Sequence, residues 1–382
     1  MNQYYNPVRT YEGEGALSHL PDVIQSALPN GGHILLLCYA APVLEHPIFR
    51  SLLDQSALPD TYETNSLIFS ASNPTIEQLF SVFCSLREQK TDLIIAVGGG
   101  SVLDVGKTLC LLGGMELQSA DELRSVIAEK HYQHPVQKWI GIPTTAGTGS
   151  EVTCWATIWD PEQEAKRSAE SKENFAYAAI VDASLAKGMP IALAVSSGLD
   201  AAAHALESYW ANASNLVSRA LALKSMETVM QHMDALLAGD PKAHEAMAQG
   251  SMLAGLAFSN TKTTACHSIS YPLTMEYHIP HGAAVSLLMG PVLKLNEAAI
   301  HDKKALFAAL GIQTADELGL KISSILQKAG IPASLRGWNV PREALPELAA
   351  HGITKGRADN NPVPLTKEKI LFLLEGIYET QA

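Results

Sequence analysis

Hydrophobic and polar positions define two kinds of segment in the first half of the chain. Short apolar runs bounded by polar residues or glycine predict buried strands, and longer stretches with apolar residues three and four apart predict helices. Strands are predicted from His33, Asp92 and Lys138, and helices are predicted from Asn73 and Ser101. This alternating order predicts a parallel sheet that is covered by helices on both faces.

The pattern changes after about Met189 and Pro190, where strand-like runs nearly disappear. Long segments with helical spacing follow: SSGLDAAAHALESYW, LVSRALALKSMETVMQHMDALL, AHEAMAQGSMLAGLAF and, near the end, TKEKILFLLEGIYE. The chain has 382 residues, of which 47% are hydrophobic, and this suits two domains with separate cores. We therefore predict an α/β domain over residues 1–188 and an α-helical domain over residues 189–382.

Charge and composition exclude several classes of protein. A formal net charge of -12 argues against a general nucleic-acid binder, because contact with phosphates needs an excess of Lys and Arg. No run of about 18 apolar residues occurs, and the N-terminus lacks the basic and apolar regions of a signal peptide. The five cysteines are scattered and form no CxxC motif, which is typical of a reducing compartment. We expect a cytoplasmic protein that makes no contact with membranes.

A glycine-rich turn, Gly98-Gly99-Gly100-Ser101, joins a predicted strand to a predicted helix. Glycine lets the backbone approach a ligand closely, and the N–H groups that begin a helix attract phosphate. The dinucleotide pattern GxGxxG fails at Leu103, and the phosphate-loop pattern GxxxxGK[ST] fails at Ser101. The motif is instead GGGSxxDxxK, with Asp104 and Lys107 one helical turn apart. A tight turn that binds no ligand is the alternative interpretation.

A second polar turn, TTAGTGSE over residues 144–151, follows the strand predicted from Lys138. Taken alone, it is also consistent with an ordinary polar loop. Loops at the carboxyl ends of parallel strands meet at one crevice of an α/β sheet, where such folds bind nucleotides. The two turns together therefore predict a nucleotide site.

Candidate metal ligands lie in the predicted helical domain. Asp200 and His204 are four residues apart in a strongly helical segment, which places both side chains on one face. A histidine beside alanines is often a packed core residue, but burying an unpartnered carboxylate costs several kcal/mol or more. A second group follows: His267, Tyr271, His278 and His281. By itself this group is also consistent with a chance run in a loop. Three imidazoles and one carboxylate together suit a divalent transition metal, with Fe(II) or Zn(II) favoured.

Taken in order, these segments resemble the iron-containing (group III) alcohol dehydrogenase family over nearly the whole chain. The likeness includes NPV and GEGAL at the start, GGGSVLDVGK, PTTAGTGSEVT, GLDAAAHALESYW, the HxxxY and PHG segment, and NPVPLT near the end. The resemblance implies the dehydroquinate synthase-like fold, in which a dinucleotide-binding α/β domain precedes a helical domain and the active site lies in the cleft between them. It also implies a metal-dependent, NAD(P)-linked oxidoreductase that forms a homodimer or a higher homo-oligomer.

The resemblance assigns site residues by motif. It implies Fe(II), or in some members Zn(II), bound by Asp200, His204, His267 and His281. It implies NAD or NADP bound by residues around the two turns. We place these cofactor contacts at Tyr39, Asn73, Gly98, Gly99, Gly100, Ser101, Asp104, Lys107, Thr144, Thr145, Thr148 and Ser150.

The sequence departs from the family pattern at two points that affect the chemistry. Many members carry a histidine where this chain has Tyr271, so we expect Tyr271 or His278 to take part in proton transfer. Members that prefer NAD often have an aspartate at the end of the first strand. Here the strand ends in Cys38 and Tyr39, so no carboxylate repels a 2′-phosphate, and this favours NADP(H).

A third departure concerns the substrate. The stretch before His267 is usually small and apolar in the family, but here Lys262 lies among hydroxyl residues in NTKTT. A lysine flanked by threonines can bind an anionic head group, although a solvated surface lysine is the alternative interpretation. With YYNPV and NNPVPLT, this resembles the phosphonoacetaldehyde and sulfoacetaldehyde reductase branch. We expect reduction of a small anionic aldehyde; the alternatives are a primary alcohol dehydrogenase for neutral substrates and a lyase or cyclase of the dehydroquinate synthase type.

Overall fold

A computed structural model describes residues 3–132, 137–163 and 165–379. By their internal contacts, Asn6–Thr145 and Ser150–Leu185 form a compact α/β unit. Residues 3–5, Ala146–Gly149 and residues 186–379 belong to a helical unit. The division predicted at residue 188 did not anticipate the two short segments that pack with the helices.

The α/β unit contains the strands of the described chain. They are β1 (Arg9–Glu12), β2 (Gly32–Cys38), β3 (Tyr62–Ile68), β4 (Leu93–Gly98), β5 (Lys138–Pro143), β6 (Trp155–Asp160), β7 (Ala165–Glu170) and β8 (Ala178–Val181). Its α-helices are α1 (Leu20–Ala27), α2 (Pro47–Leu53), α3 (Ile76–Ser85), α4 (Gly100–Leu111) and α5 (Ala120–Glu129). Short 3₁₀ helices lie at Ala16–His19, Ala41–Glu45, Ser150–Val152, Pro161–Gln163 and Ala183–Ala186.

Within the described residues, six strands form a sheet in the order β1-β8-β5-β4-β2-β3, and every neighbouring pair is parallel. Strands β6 and β7 form a separate antiparallel pair. Successive residues of β2 point to opposite faces, and both faces are buried: Leu36 packs in one apolar cluster and Leu35 in another. This burial explains why β2 and β4 are continuous apolar runs. The prediction of a parallel sheet with two covered faces is confirmed.

The helical unit consists of long helices joined by short connections. Its α-helices are α6 (Ile191–Trp210), α7 (Leu216–Leu237), α8 (Ala243–Thr261), α9 (Ala265–Tyr277), α10 (His281–Asn296), α11 (Lys303–Leu310), α12 (Ala315–Lys328), α13 (Leu345–His351) and α14 (Lys367–Gly376). Short 3₁₀ helices lie at Glu297–Ala299, Arg336–Trp338, Arg342–Ala344 and Ala358–Asn360. A single apolar cluster joins buried side chains of helices from α6 to α14. The prediction of a helical C-terminal domain is confirmed.

The segment with the second group of histidines is helical, although a loop was one of its two interpretations. Helix α9 runs through Pro272 and ends at Tyr277; the next residue, His278, has a left-handed φ of 54°. Proline lowers the helical signal of a sequence because it lacks the backbone N–H. Helix α10 then begins at His281, directly after Pro280.

Among the described helices, none is both long enough and apolar enough to cross a membrane.

Candidate functional site

Three helices of the helical unit bring the predicted metal ligands together. Helix α6 carries Asp200 and His204 on one face, the first turn of α9 carries His267, and α10 begins with His281. Alanines occupy the positions between Asp200 and His204, so no bulky side chain of α6 lies between them. The local sequence therefore places four potential ligands at one point of the helical unit.

Distances within the group are those of neighbours in one cluster. Asp200 Oδ1 lies 3.5 Å from His267 Nε2 and 4.0 Å from His281 Nε2. Potential ligand atoms of these three residues all lie within 4.8 Å of one another. His204 stands beside this triad, with its Nδ1 3.9 Å from Asp200 Oδ2 and its ring 4.2 Å from the His267 ring. The second face of the His204 ring stacks on Phe258 at 4.3 Å.

Unsatisfied polar atoms mark the centre of the cluster. Asp200 Oδ1, His204 Nδ1 and His267 Nε2 are buried and find no hydrogen-bond partner among the described residues. Such atoms carry a free-energy cost of about 1–3 kcal/mol each, and more when they are charged. A divalent cation bound by the carboxylate and the imidazoles removes that cost, and this donor set suits Fe(II) or Zn(II). The residues present therefore fit a metal centre.

Burial and charge set the protonation of the cluster. Burial raises the pKa of the Asp200 carboxyl, but the charges of the surrounding imidazoles outweigh this effect and lower the pKa well below its usual value. Burial lowers the pKa of His204 to about 4, which keeps the ring neutral. Burial also lowers the pKa of His267, but two neighbouring carboxylates outweigh it and raise that pKa to about 9. An ionised carboxylate and a neutral imidazole are the forms that bind metals, so a metal that binds His267 displaces a proton from its ring.

Glu207 is a buried group of this cluster that the sequence analysis missed. Its carboxylate oxygen Oε2 makes a short hydrogen bond with Nδ1 of His267. Oε1 accepts hydrogen bonds from Thr264 Oγ1 at 2.9 Å and from the backbone N–H of Cys266 at 2.6 Å. The available signal was its spacing, because Glu207 lies three residues after His204 and so on the same face of α6.

The two predicted proton donors lie in different surroundings. The Tyr271 ring stacks on the His281 ring, with the centroids 6.1 Å apart, so Tyr271 lies at the edge of the cluster. His278 is exposed at the end of α9. The structure therefore places Tyr271, rather than His278, in ring contact with a predicted ligand.

Lys262 lies in the connection between α8 and α9, and its backbone is unusual. Its φ of 61° and ψ of -175° fall in a region that is populated almost only by glycine. The amide of Asn360 donates to the carbonyl groups on both sides, of Thr261 at 2.8 Å and of Thr263 at 3.1 Å. Thr264, two residues further on, binds Glu207, which in turn binds His267. Two hydrogen bonds thus connect this segment to a predicted metal ligand.

The glycine turn lies at the carboxyl end of β4, in the α/β unit. A Cβ on Gly98 would lie 2.7 Å from the Cβ of Val102, so this position has no room for a side chain. Gly99 precedes α4, and Ser101 Oγ accepts a hydrogen bond from the backbone N–H of Asn73 at 3.0 Å. Tyr39 follows β2 and is 41% exposed. Gly100, the first residue of α4, is half-buried, as is Gly99 before it.

The second turn divides between the two units. Thr144 is buried and donates its backbone N–H to Gly98 of the first turn at 3.0 Å, while Thr145 is half-buried. Thr148, also half-buried, belongs to the short segment of the helical unit. In that segment a Cβ on Gly149 would lie 2.5 Å from Cα of Gly255, so glycine is required for this close packing.

Lys107, which was predicted as a cofactor contact, is fully buried, and its ammonium group is bound by neighbouring residues of the α/β unit. Its ammonium group donates to Ser150 Oγ at 2.6 Å, to Thr153 Oγ1 at 2.8 Å and to the carbonyl of Trp155 at 2.8 Å. Ser150 in turn donates to Asp104 Oδ1 at 2.8 Å. The sequence spacing was right, but burial makes Lys107 an internal link between α4 and the segment after the second turn.

Comparisons with known proteins identify the family of the chain. The profile described as "Iron-containing alcohol dehydrogenase" matches residues 7–183, and the profile described as "Fe-containing alcohol dehydrogenase family, C-terminal" matches residues 194–378. Together they cover most of the chain. The chain belongs to the iron-containing alcohol dehydrogenase family. It is therefore an oxidoreductase of the alcohol dehydrogenase and aldehyde reductase type.

Individual relatives of this family member act on several substrates. The sulfoacetaldehyde reductase of Bilophila wadsworthia (strain 3_1_6) is 31% identical over 75% of this chain and 77% of that protein. The NADPH-dependent butanol dehydrogenase of Clostridium saccharobutylicum is 28% identical over 80% of this chain and 81% of that protein. Among solved structures, the sulfoacetaldehyde reductase from Bifidobacterium kashiwanohense in complex with NAD+ superposes with a TM-score of 0.88. That pair is 25% identical and covers 100% of both chains.

Proposed function

We propose that this family member reduces a small aldehyde with an anionic head group, of the phosphonoacetaldehyde or sulfoacetaldehyde type, to the primary alcohol. The observation that carries the metal-dependent scheme is the convergence of Asp200, His267 and His281 with His204 beside them. At this point, buried atoms of Asp200, His204 and His267 have no hydrogen-bond partner among the described residues. Two relatives named sulfoacetaldehyde reductase support the choice of substrate class. The lyase or cyclase alternative has no such support.

In this proposal, residues of the chain bind the metal and the nicotinamide cofactor, orient the aldehyde and donate the proton to it. The four cluster residues would hold Fe(II) or Zn(II), and the glycine turn from Gly98 to Ser101 would hold the diphosphate of NADPH or NADH. When bound, the metal would supply Lewis-acid polarisation of the carbonyl group, and the nicotinamide would supply the hydride. Tyr271, stacked on His281, donates the proton that completes the alcohol. The aldehyde thereby gains one hydride and one proton, and the nicotinamide is oxidised.

Lys262 is the residue that we assign to the anionic end of the substrate. A non-glycine residue in a strained backbone conformation persists only where its surroundings fix it, and Asn360 binds the carbonyl groups before and after it. Such strain is concentrated at binding and catalytic sites. The hydrogen bonds from Thr264 through Glu207 to His267 keep the segment near the metal ligands. An ammonium group here provides the charge that sulfonate or phosphonate requires.

Replacement of Lys262 by Met tests this assignment, since Met keeps much of the length and removes the charge. We expect kcat/KM for sulfoacetaldehyde or phosphonoacetaldehyde to fall on the order of 10- to 100-fold, because a hydrogen bond to a charged group contributes about 1.5–3 kcal/mol. Activity with a neutral aldehyde of similar size should change little. The measurement is the rate of NADPH or NADH oxidation with each aldehyde.

The matched control is Lys242→Met, which alters an exposed lysine before α8 and should leave both activities unchanged. If kcat/KM of Lys262→Met fell equally for anionic and neutral aldehydes, the head-group assignment would be rejected. If the wild-type protein reduced only neutral aldehydes, it would instead be a primary alcohol dehydrogenase for neutral substrates. Full activity after complete removal of metal would reject the metal-dependent scheme itself.

A further inference from the structure

We infer that Glu207 is a positioning residue for the metal centre: through Oε2 it fixes which nitrogen of His267 is offered to the metal. The inference rests on the proposed metal site and deepens it. Glu207 lies in α6 and has no exposed surface, and its short hydrogen bond joins Oε2 to Nδ1 of His267 in α9. A carboxylate accepts only, so Nδ1 carries the proton.

That single hydrogen bond determines the direction of the His267 lone pair. With the proton on Nδ1, the neutral ring has its lone pair on Nε2. Nε2 lies 3.5 Å from Asp200 Oδ1 and has no hydrogen-bond partner among the described residues. A carboxylate behind a metal-binding histidine both orients the ring and raises the basicity of the ligating nitrogen. Glu207 therefore has the geometry of such a group.

The two oxygens of Glu207 have separate tasks. Oε1 accepts from the hydroxyl and the backbone N–H of Thr264, at 2.9 Å and 3.2 Å, and from the backbone N–H of Cys266 at 2.6 Å and of His267 at 3.4 Å. These N–H groups begin α9, so Oε1 caps that helix with a carboxylate from a different helix. Oε2 is left to bind the ring of His267. The capping task supports the fold, and the ring contact concerns the metal.

This division makes Glu207→Gln a selective test. The donors around Oε1 require the carbonyl oxygen of the new amide at that position, which turns its NH₂ group toward Nδ1 of His267. Nδ1 must then accept, the proton moves to Nε2, and the lone pair that faces Asp200 is lost. The side chain keeps its size and its cap. We expect the variant to fold and its affinity for Co(II) and Zn(II) to fall on the order of 10- to 100-fold.

Thr264→Ala is the matched control, because it removes one donor to Oε1 and leaves Oε2 and His267 in place. It also deprives Trp210 Nε1 of its acceptor, so its Tm should fall. Its affinity for both metals should stay at the wild-type value. The readouts are the visible absorption of bound Co(II), Zn(II) competition against a chromogenic chelator, and Tm by circular dichroism.

The outcomes are distinct. Loss of metal affinity in Glu207→Gln but not in Thr264→Ala supports the inference. Wild-type affinity in Glu207→Gln overturns it, and so does a loss of affinity that follows Tm equally in both variants.

If Glu207→Gln does not fold, 15N-histidine NMR of the Zn(II)-loaded wild-type protein tests the inference instead. A proton on Nδ1 of His267, assigned by its absence in His267→Gln, supports the inference, and a proton on Nε2 overturns it. A wild-type protein that binds neither metal contradicts the proposed function itself.

Discussion

Glu151 is a carboxyl group whose burial should make stability depend on pH. Glu151 is 2% exposed, and its side chain packs closely over Gly141. A Cβ added to Gly141 would lie 2.9 Å from the Cβ of Glu151. Burial raises the pKa of Glu151 to about 7, while the charge of Lys107 lowers it to a smaller extent. Because the folded-state pKa is raised, the folded state binds more protons than the unfolded state between about pH 4.5 and pH 7.

The consequence is a loss of stability as pH rises through that window. The contribution of protonated Glu151 is fully present below the unfolded-state pKa and is lost above about pH 7. Glu151→Gln cannot ionise, so its Tm relative to wild type should be higher at pH 8 than at pH 5. The change in relative stability should be roughly 3 kcal/mol. Differential scanning fluorimetry across this range measures it, and Glu88→Gln, at an exposed position, is the control. A constant Tm difference would contradict the prediction.

Single residues were predictable from sequence where type and spacing both pointed to one chemistry. The i, i+4 pair in α6 is brought together by the fold with His267 and His281 of the later segment, but not with His278. Glu207 was not predicted, because its partner His267 lies 60 residues away and only the packing of α9 against α6 reveals the contact. The burial of Lys107 was not predicted for a related reason, since its type and spacing suit a ligand contact and its partners in the later segment are far along the chain.

At the scale of elements, the connection from α8 to α9 combines strain with restraint. Lys262 has φ of 61° and ψ of -175°, a conformation that is costly for any residue with a Cβ and accessible to glycine. Asn360 binds the carbonyl groups on either side and so keeps the connection in this shape. Strain of this kind costs on the order of 1–3 kcal/mol.

Comparison of Lys262→Gly with Lys262→Ala isolates that strain, since both variants lack the ammonium group and only Ala retains a Cβ. Glycine also has more freedom to lose on folding, which offsets part of the relief by about 0.5–1 kcal/mol. We expect Lys262→Gly to be more stable by about 1 kcal/mol, measured by urea unfolding. Both variants should lose activity with anionic aldehydes to the same extent. A more stable alanine variant would show that the backbone is relaxed at this position.

Elements were predictable where burial was uniform. Strands β2 and β4 follow their sequence patterns because both faces of the sheet are covered. Helix α4 is buried along almost its whole length, and helix α7 is buried along part of its surface. Helix α9 was ambiguous because Pro272 interrupts the pattern, and tertiary packing keeps the segment helical. Strand β1 is short and mostly exposed, and it was not recognised because edge strands carry little apolar signal.

At the scale of the whole molecule, the presence of two units was predictable from the change in pattern near residue 189, but the order of the strands was not. β1 pairs with β8, and β5 with both β4 and β8, so neighbours in the sheet lie far apart in the chain. Such pairings depend on the course of the connections rather than on local sequence. The predicted metal ligands lie in α6, α9 and α10 of the helical unit, and the glycine turn lies in the α/β unit.

This division predicts where metal binding changes local stability. Because the cation would join side chains of three helices, Zn(II) should slow amide exchange in α6, in the first turns of α9 and in the start of α10. Amides of β2 and β4 should exchange at unchanged rates, because those strands belong to the α/β unit. Hydrogen exchange with mass spectrometry, with and without Zn(II), measures both regions in one experiment. In the Asp200→Asn variant, Zn(II) should no longer slow amide exchange in these helices. Protection confined to the α/β unit would place the metal elsewhere.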